Sequence, residues 1–132
     1  MKFVSNLLVA VHTVAAAEAL TLAAKCGLDT GTALEMISAG AGNSRMLEVR
    51  GPLMVAGDYD VDSATLDTLI KDSAIILDFA GEQNCPLPML SIASTFFRAA
   101  AAQGLHDQDP AVVREVLGGL AGLPTNTPAK RG

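Results

Sequence analysis

The first turns of the chain contain a lysine and an asparagine at a spacing that suits proton transfer. Lys2 and Asn6 are four residues apart, so on a helix their side chains lie on the same face, one turn from each other. The amine can exchange a proton with a hydroxyl group while the amide holds that hydroxyl in position. An exposed terminal lysine beside an incidental asparagine gives the same pattern, and from the spacing alone it is the preferred interpretation.

A second charged pair lies inside a strongly apolar stretch. Lys71 and Asp72 are flanked by the apolar residues 69–70 and 75–77. Lys71 follows Asp67 by four residues, so an exposed ion pair on a helix, stabilising by roughly a few tenths of a kcal/mol, explains it without a function. From periodicity alone, a solvated charged stripe is the preferred interpretation.

No segment of the sequence has a convincing metal or phosphate pattern. The acidic run 58–62 has carboxylates at alternate positions, but Ser63 and Leu69 stand where a calcium loop needs glycine and glutamate. His12 and His106 belong to no metal-ligand spacing. The glycines at 40 and 42 follow no strand that could form a phosphate cradle. We therefore predict no metal site and a solvated loop over 58–62.

Composition narrows the class of protein. The 132 residues suffice for one domain with its own core. The net charge of −5 gives no basic surface for a polyanion, so we expect no nucleic-acid partner. Cys26 and Cys85 match no redox or metal spacing, and we interpret both as packing thiols in a reducing compartment. A cytoplasmic location is the corresponding expectation.

The apolar N-terminal stretch allows two other interpretations. A lysine, an apolar run and small residues near 15–19 imitate a secretory signal, which would indicate a secreted helical protein. A membrane span needs about 20 predominantly apolar residues, and Asn6, His12 and Glu18 make a span costly. Because the helical pattern continues through Lys25 without a turn signal, we favour a helix buried on several sides and expect no membrane association.

Helical periodicity predominates and period-two alternation nowhere persists, so the predicted fold class is all-α, with about five to seven helices. A long N-terminal helix over 2–26 is closed by Gly27, which suits the left-handed end of a helix. Asp29, and later Asn43 or Ser44, are the expected caps of the next two helices. The remaining expected pieces are 45–50, a short turn up to 57, 64–83, 88–103 and 111–117.

The long helix over 64–83 is expected to be capped by Asp62 or Ser63. Its predicted core face consists of Leu66, Leu69, Ile70, Ala74, Leu77 and Ala80. Residues 118–132 contain two prolines, several glycines and a basic end, and predict a flexible tail. The helical domain is therefore expected to span residues 1–117.

Five spaced segments together resemble the 3-hydroxyisobutyrate dehydrogenase family, the β-hydroxyacid dehydrogenases. KFVSN at 2–6 resembles the family's K-x-x-x-N segment, and 18–29 resembles the end of its long interdomain helix. IKD at 70–72, LDFA at 77–80 and PLP at 86–88 resemble its K-D, L-D-x-A and P-L-P signatures. Their order and spacing agree over roughly 2–117, which is far more specific than any one motif. The stretch 38–59 most resembles threonate dehydrogenases, with tartronate semialdehyde reductases as relatives.

The resemblance implies a fold, a reaction and site residues. Family members join an N-terminal Rossmann domain to a helical domain like the C-terminal domain of 6-phosphogluconate dehydrogenase, and transfer a hydride between short β-hydroxy acids and NAD or NADP. Lys2 would take the hydroxyl proton, Asn6 would hold the substrate oxygen, and Lys71 would approach the nicotinamide end of the cofactor. This replaces the solvated interpretation of Lys71. Since the sequence has no Rossmann domain, we expect the C-terminal part of such an enzyme.

Two expectations follow for the chain alone. A lysine serves as a base when a closed cleft and a neighbouring cation favour its neutral form. Without the Rossmann domain, Lys2 should stay solvated and the chain should neither bind NAD(P) measurably nor turn over substrate. The apolar first helix should pack against a second copy in a homodimer or higher homo-oligomer. A non-catalytic helical dimerisation module is the alternative function, and the sequence fixes neither the hydroxy acid nor the choice between NAD and NADP.

Overall fold

The computed structural model describes residues 1–60 and 64–125, and over these ranges the chain forms helices without a strand. The α-helices are α1 (Lys2–Lys25), α2 (Thr30–Ser38), α3 (Arg45–Ala56), α4 (Leu66–Glu82), α5 (Pro88–Ala102) and α6 (Val113–Leu120), and a 3-10 turn, Pro110–Val112, leads into α6. The predicted all-α fold with a long N-terminal helix is confirmed.

Helix α1 is the central element of the bundle, and every other α-helix packs against it. Over its 24 residues it has no glycine or proline, and its alanines let neighbouring helices approach closely. Gly27 follows with a φ of 79°, the left-handed conformation predicted for the end of this helix. By length and composition alone α1 could cross a membrane, but half of its most apolar window is buried inside the bundle, as in a core helix.

Helices α2 and α3 begin at predicted capping residues. The Asp29 carboxylate accepts a hydrogen bond from the Thr32 backbone N–H at 2.9 Å. The Ser44 hydroxyl accepts one from the Leu47 backbone N–H at 3.1 Å. Each bond satisfies a donor that has no partner inside its own helix, which fixes where the helix starts.

Helix α3 is longer than predicted because it continues through Pro52. The expected break after residue 50 is wrong, since α3 runs Arg45–Ala56 with the proline inside. Proline removes one helical N–H, and the burial of one face of α3 compensates for it. Gly51 lies so close to Leu34 of α2 that an added Cβ would be 2.6 Å from the leucine Cδ1. The buried residues of α3 are Leu47, Arg50, Gly51 and Met54.

Helix α4 begins at a different cap from the one predicted. Thr65 is its N-cap, and the Thr65 hydroxyl accepts a hydrogen bond from the Thr68 N–H at 3.4 Å. Asp62 and Ser63, the predicted caps, lie outside the described residues. The buried residues of α4 are Leu66, Leu69, Ser73, Ile76 and Ala80. The other members of the predicted face, Ile70, Ala74 and Leu77, are partly buried.

Proline begins the last two helical segments, as predicted. Pro88 is the first residue of α5, and Pro110 begins the 3-10 turn before α6. Helix α6 continues to Leu120 and does not end at 117 as expected. The beginning of the predicted tail is therefore helical, and its residues 126–132 lie outside the described part of the chain.

A buried polar network connects α1, α3 and the segment before α6. Arg50 Nε donates to Asp109 Oδ1 at 3.1 Å, and Arg50 Nη1 donates to Thr13 Oγ1 at 2.9 Å. The Asp109 backbone N–H donates to the Tyr59 carbonyl at 2.9 Å, and the Tyr59 hydroxyl donates to Glu115 Oε1 at 2.7 Å. Removing one partner of a buried ion pair lowers the free energy of unfolding far more than removing one partner of an exposed pair. The network therefore fixes these three elements relative to one another.

Both cysteines are exposed, which corrects their interpretation as packing thiols. Cys26 is the C-cap of α1, beyond its last helical residue. Cys85 lies in the connection between α4 and α5, just before Pro86. Helix ends and connections run over the protein surface, so neither position offers a core environment.

Candidate active site

Lys2 and Asn6 lie on the first two turns of α1 and line one shallow pocket of about 150 Å³. Lys2 is exposed, as expected, and Asn6 is partly buried. Their spacing of four residues brings both side chains to the same face of the helix. The full lining of this pocket, called the Lys2 pocket below, is Lys2, Phe3, Asn6, Asp72, Ile75 and Ile76.

Asp72 is a residue of this pocket that motif reasoning missed. It follows the buried Leu69 by three residues and precedes the buried Ile76 by four, so it lies on the inward side of α4. That spacing was readable in the sequence, and it distinguishes Asp72 from its neighbour Lys71. With Asp72, the pocket combines an amine, an amide and a carboxylate, which can bind a hydroxyl and accept its proton.

Lys71 is next to Asp72 in the sequence but does not line the Lys2 pocket. Adjacent residues of an α-helix are turned by about 100° from each other. Lys71 therefore lies about 200° around α4 from the buried Leu69, and it is exposed. The structure brings Lys2, Asn6 and Asp72 together and leaves Lys71 on the outward side of α4.

An apolar surface continues from the Lys2 pocket. The rings of Phe3 and Phe79 meet edge to face, with centroids 5.3 Å apart and planes at 65°. Phe3 and Ile76 also line an adjacent apolar pocket of about 280 Å³, which contains Cys85. Phe79 is 48% exposed. An exposed apolar area beside polar side chains is typical of a surface that another domain or subunit covers.

Among the described residues, no metal cluster adds to this site. Within residues 1–60 and 64–125, no group of three or more His, Cys, Asp or Glu side chains could hold a metal ion. Asp58 and Asp60, in the acidic run expected to be solvated, are exposed. Burial and the hydrogen bond to Glu115 raise the pKa of Tyr59 well above its usual value, but Tyr59 belongs to the core network. The Lys2 pocket itself contains an amine, an amide and a carboxylate.

Two solved 3-hydroxyisobutyrate dehydrogenases contain the same helical fold. The chain superposes with a TM-score of 0.83 on a 3-hydroxyisobutyrate dehydrogenase from Salmonella typhimurium, at 36% identity, over 87% of this chain and 40% of that one. A 3-hydroxyisobutyrate dehydrogenase from Mycobacterium tuberculosis, solved with L-serine, shares the fold with a TM-score of 0.78 at 24% identity, over 88% and 42% of the two chains. The fold of this chain is therefore that of a helical region of a 3-hydroxyisobutyrate dehydrogenase.

The sequence comparisons give the family. A profile described as the NAD-binding of NADP-dependent 3-hydroxyisobutyrate dehydrogenase matches residues 1–117. An L-threonate dehydrogenase of Cupriavidus necator is 36% identical over 120 residues, which are 91% of this chain and 40% of that protein. The chain belongs to the 3-hydroxyisobutyrate dehydrogenase family, whose members are NAD(P)-dependent oxidoreductases.

The chain spans about two-fifths of the length of the curated relatives that it matches. The family description assigns NAD binding to residues 1–117, whereas the sequence patterns predict that a separate Rossmann domain holds most of the cofactor. The sequence comparisons establish the family of this chain and the nicotinamide cofactor of that family. The expectation that this region is the C-terminal, helical part of a longer enzyme stays a prediction.

Proposed function

We propose that this chain is the C-terminal helical domain of an NAD(P)-dependent dehydrogenase that transfers a hydride between a nicotinamide cofactor and a short β-hydroxy acid. The observation that carries the proposal is the pocket shared by Lys2, Asn6 and Asp72 in a chain of this family. Because the described residues form helices without a strand, a Rossmann domain is the proposed partner that holds most of the cofactor.

Lys2 is the general base of the proposed oxidation. Its neutral amine accepts the proton of the substrate hydroxyl at Nζ. At the same time a hydride leaves the carbon that bears this hydroxyl for the nicotinamide, so that the alcohol becomes a carbonyl. In the reverse reaction the Lys2 ammonium returns this proton to the carbonyl oxygen. Asn6 donates from its side-chain amide to that oxygen and keeps it within reach of Lys2. Asp72 lines the same pocket, and we propose that it accepts a hydrogen bond from the ammonium when substrate is bound and so orients it.

Lys71 is the proposed contact of this chain with the nicotinamide end of the cofactor. The cofactor, when bound, supplies the hydride acceptor or donor. Lys71 is available for such a contact because it is exposed, with no described partner, and it is next in sequence to Asp72 of the Lys2 pocket. The choice between NAD and NADP depends on ribose contacts, which belong to the Rossmann domain. By itself the chain is expected neither to bind NAD(P) measurably nor to turn over substrate.

Threonate-type acids are the proposed substrates among the β-hydroxy acids. The L-threonate dehydrogenase of Cupriavidus necator matches 91% of this chain, and the stretch 38–59 carries the same resemblance. The remaining substrate contacts are assigned to the Rossmann domain. The proposed location is the cytoplasm, where the NAD(P) pool supplies the cofactor.

The proposal is tested with the enzyme encoded when this chain is joined to its upstream coding sequence. NAD- and NADP-dependent oxidation of threonate, glycerate and 3-hydroxyisobutyrate is measured for the parent and for Lys2→Ala. We expect Lys2→Ala to lose about 100-fold or more in kcat, the usual contribution of a general base. An unchanged kcat, or an upstream sequence without a Rossmann motif, would exclude the catalytic role.

Lys25→Ala is the matched control for Lys2→Ala. Both lysines belong to α1, and Lys25 lies about 34 Å further along the helix. Its ammonium donates to the Ala121 carbonyl at 2.7 Å, so it contacts α6 and not the Lys2 pocket. We expect Lys25→Ala to retain the parent kcat. A comparable loss in both variants would indicate a general effect on the fold.

A non-catalytic dimerisation module is the second candidate function, and exposed apolar residues favour it. Val4, Leu8 and Leu22 of α1 are 64%, 46% and 65% exposed, and Met89 and Ile92 of α5 are 65% and 60% exposed. A second copy of the chain is the proposed cover for this surface, in a homodimer or a higher homo-oligomer. Light scattering tests association, and a stable monomer at high concentration would contradict it. Association without any activity of the joined enzyme would favour this second function.

A further inference from the structure

Two pockets formed by α1 and α4 lie beside each other and share a wall. The Lys2 pocket encloses about 150 Å³, and the adjacent apolar pocket, called the Cys85 pocket below, encloses about 280 Å³. Phe3 and Ile76 line both of them. The remaining residues of the Cys85 pocket are apolar except for Gln83 and the Cys85 thiol. The two pockets therefore meet at the side chains of Phe3 and Ile76.

Of these two shared residues, Phe3 is the one at the edge of the fold. Ile76 is 4% exposed and belongs to the core, whereas Phe3 is partly buried on the first turn of α1. The Phe3 ring meets the Phe79 ring edge to face, with centroids 5.3 Å apart. Phe79 lines the Cys85 pocket and not the Lys2 pocket. This ring contact holds the Phe3 side chain between the two pockets.

The polar and apolar sides of the Lys2 pocket constrain how an acid lies in it. Its polar side chains are the amine, the amide and the carboxylate described above, and its other lining residues, Phe3, Ile75 and Ile76, are apolar. A carboxylate or hydroxyl placed against Phe3 would lose its hydrogen bonds to water without replacement. An acid whose hydroxyl is within reach of Lys2 therefore turns its carbon chain toward Phe3. A longer chain that extends in this direction collides with the ring before it reaches the Cys85 pocket.

We propose that Phe3 is a specificity-determining residue, whose ring limits the chain length of the acids that bind in the Lys2 pocket. This inference rests on the proposed function, in which Lys2 and Asn6 hold the substrate hydroxyl. In Phe3→Ala the ring is lost, the two pockets become continuous, and an apolar arm of the acid enters the Cys85 pocket. One methylene group in an apolar pocket changes specificity by about 10–200-fold, so the loss of this wall has a measurable effect.

Two β-hydroxy acids with the same carboxylate and hydroxyl groups test this limit. 2-(Hydroxymethyl)butanoate carries an ethyl arm, and 2-(hydroxymethyl)hexanoate carries a butyl arm. NMR titration of the joined enzyme measures their dissociation constants without any need for turnover. We expect the parent to bind the butyl acid at least about tenfold more weakly than the ethyl acid. In Phe3→Ala the ratio of the two constants should shift toward the butyl acid by about tenfold or more.

The Cys85 thiol reports where the arm of the acid lies. Cys85 lines the pocket that the arm would enter, and Cys26, the exposed C-cap of α1, lines neither pocket. Peptide mass spectrometry follows the alkylation of both thiols by iodoacetamide. In Phe3→Ala, the butyl acid at ten times its dissociation constant should slow alkylation of Cys85 by about tenfold and leave Cys26 unchanged. In the parent it should slow neither.

Phe96→Ala is the matched control for Phe3→Ala. Phe96 of α5 is also partly buried, and it lines neither of the two pockets. Its removal should leave the ratio of the two dissociation constants at the parent value. Phe3→Leu keeps a smaller apolar side chain and should shift the ratio in the same direction by less. It takes the place of Phe3→Ala in the test if melting curves show that the alanine variant is unfolded.

Several results would overturn the role of Phe3. They are an unchanged ratio in the Phe3 variants, a parent that binds both acids equally, and a parent that binds neither acid. An equal shift in Phe96→Ala would show a general effect of losing an aromatic ring. Turnover is measured separately: a joined enzyme that oxidises no acid would contradict the proposed function, while the two dissociation constants still decide whether Phe3 limits chain length.

Discussion

Removal of Arg50 tests whether the buried ion pair holds the bundle together. Arg50→Met keeps much of the side-chain volume but leaves the Asp109 carboxylate, whose side chain is 3% exposed, without its cation. Removing one partner of a buried pair costs about 3–5 kcal/mol. Thr13 loses its donor as well, whereas Asp109 keeps the hydrogen bond from the Ala111 N–H at 2.8 Å. We therefore expect the free energy of unfolding to fall by about 3 kcal/mol or more.

The chain offers a matched control for this change. Arg45→Met removes the same group from an ion pair with Glu48 whose side chains are 79% and 43% exposed, and solvent screens such a pair. In a domain of this size, 1 kcal/mol corresponds to about 4 °C in melting temperature, so Arg50→Met should lower the Tm by roughly 12–20 °C. Arg45→Met should lower it by only a small fraction of that. Circular dichroism during thermal and urea unfolding measures both variants, and similar small losses in the two would refute the reasoning.

Three further changes test other parts of the structure. Tyr59→Phe removes the hydroxyl that donates to Glu115 at 2.7 Å, and urea unfolding should show a loss of about 1.5–3 kcal/mol. Since burial and Glu115 raise the pKa of Tyr59, the unfolded chain releases this proton at lower pH than the folded chain. Stability should then fall above about pH 10, and less steeply in Tyr59→Phe; identical pH dependence in melting curves would contradict this. Asp72→Asn should lower kcat/KM of the joined enzyme about tenfold in steady-state assays without changing the Tm, and full activity would remove Asp72 from the site. Ser44→Ala should lower the Tm by about 4 °C through loss of the α3 cap, whereas Ser5→Ala on α1 should not; equal Tm values would argue against the cap.

Local signals were sufficient to predict several helix boundaries, and a tertiary contact explains why the break predicted inside α3 was wrong. Gly27 and Pro88 act on the backbone of their own segment, so the end of α1 and the start of α5 were readable from the sequence. Pro52 carries an equally strong local signal for a break. In the fold, Gly51 packs against Leu34 of another helix, and this burial keeps α3 continuous through the proline.

The candidate site was partly predictable for the same reason. Lys2 and Asn6 share one helix, so their spacing alone predicted that they line a common surface. Which member of the Lys71 and Asp72 pair enters that surface depends on how α4 packs against α1. The family resemblance drew attention to the lysine, whereas the pocket contains the carboxylate. The exposure of both cysteines likewise depends on where helices end, which composition does not reveal.

The two exposed thiols give the molecule a built-in pair of labelling positions. Cys85 lines a pocket together with Phe3 and Val4, near the start of α1, and Cys26 is the C-cap of the same helix. The rise from residue 4 to residue 26 of a helix is about 33 Å, and the sequence has no third cysteine. Spin labels on these thiols therefore report a fixed internal distance by dipolar coupling. A domain that settles over Lys2 would slow the rotation of the label at Cys85 and leave the label at Cys26 free, and electron paramagnetic resonance of these two labels measures that difference.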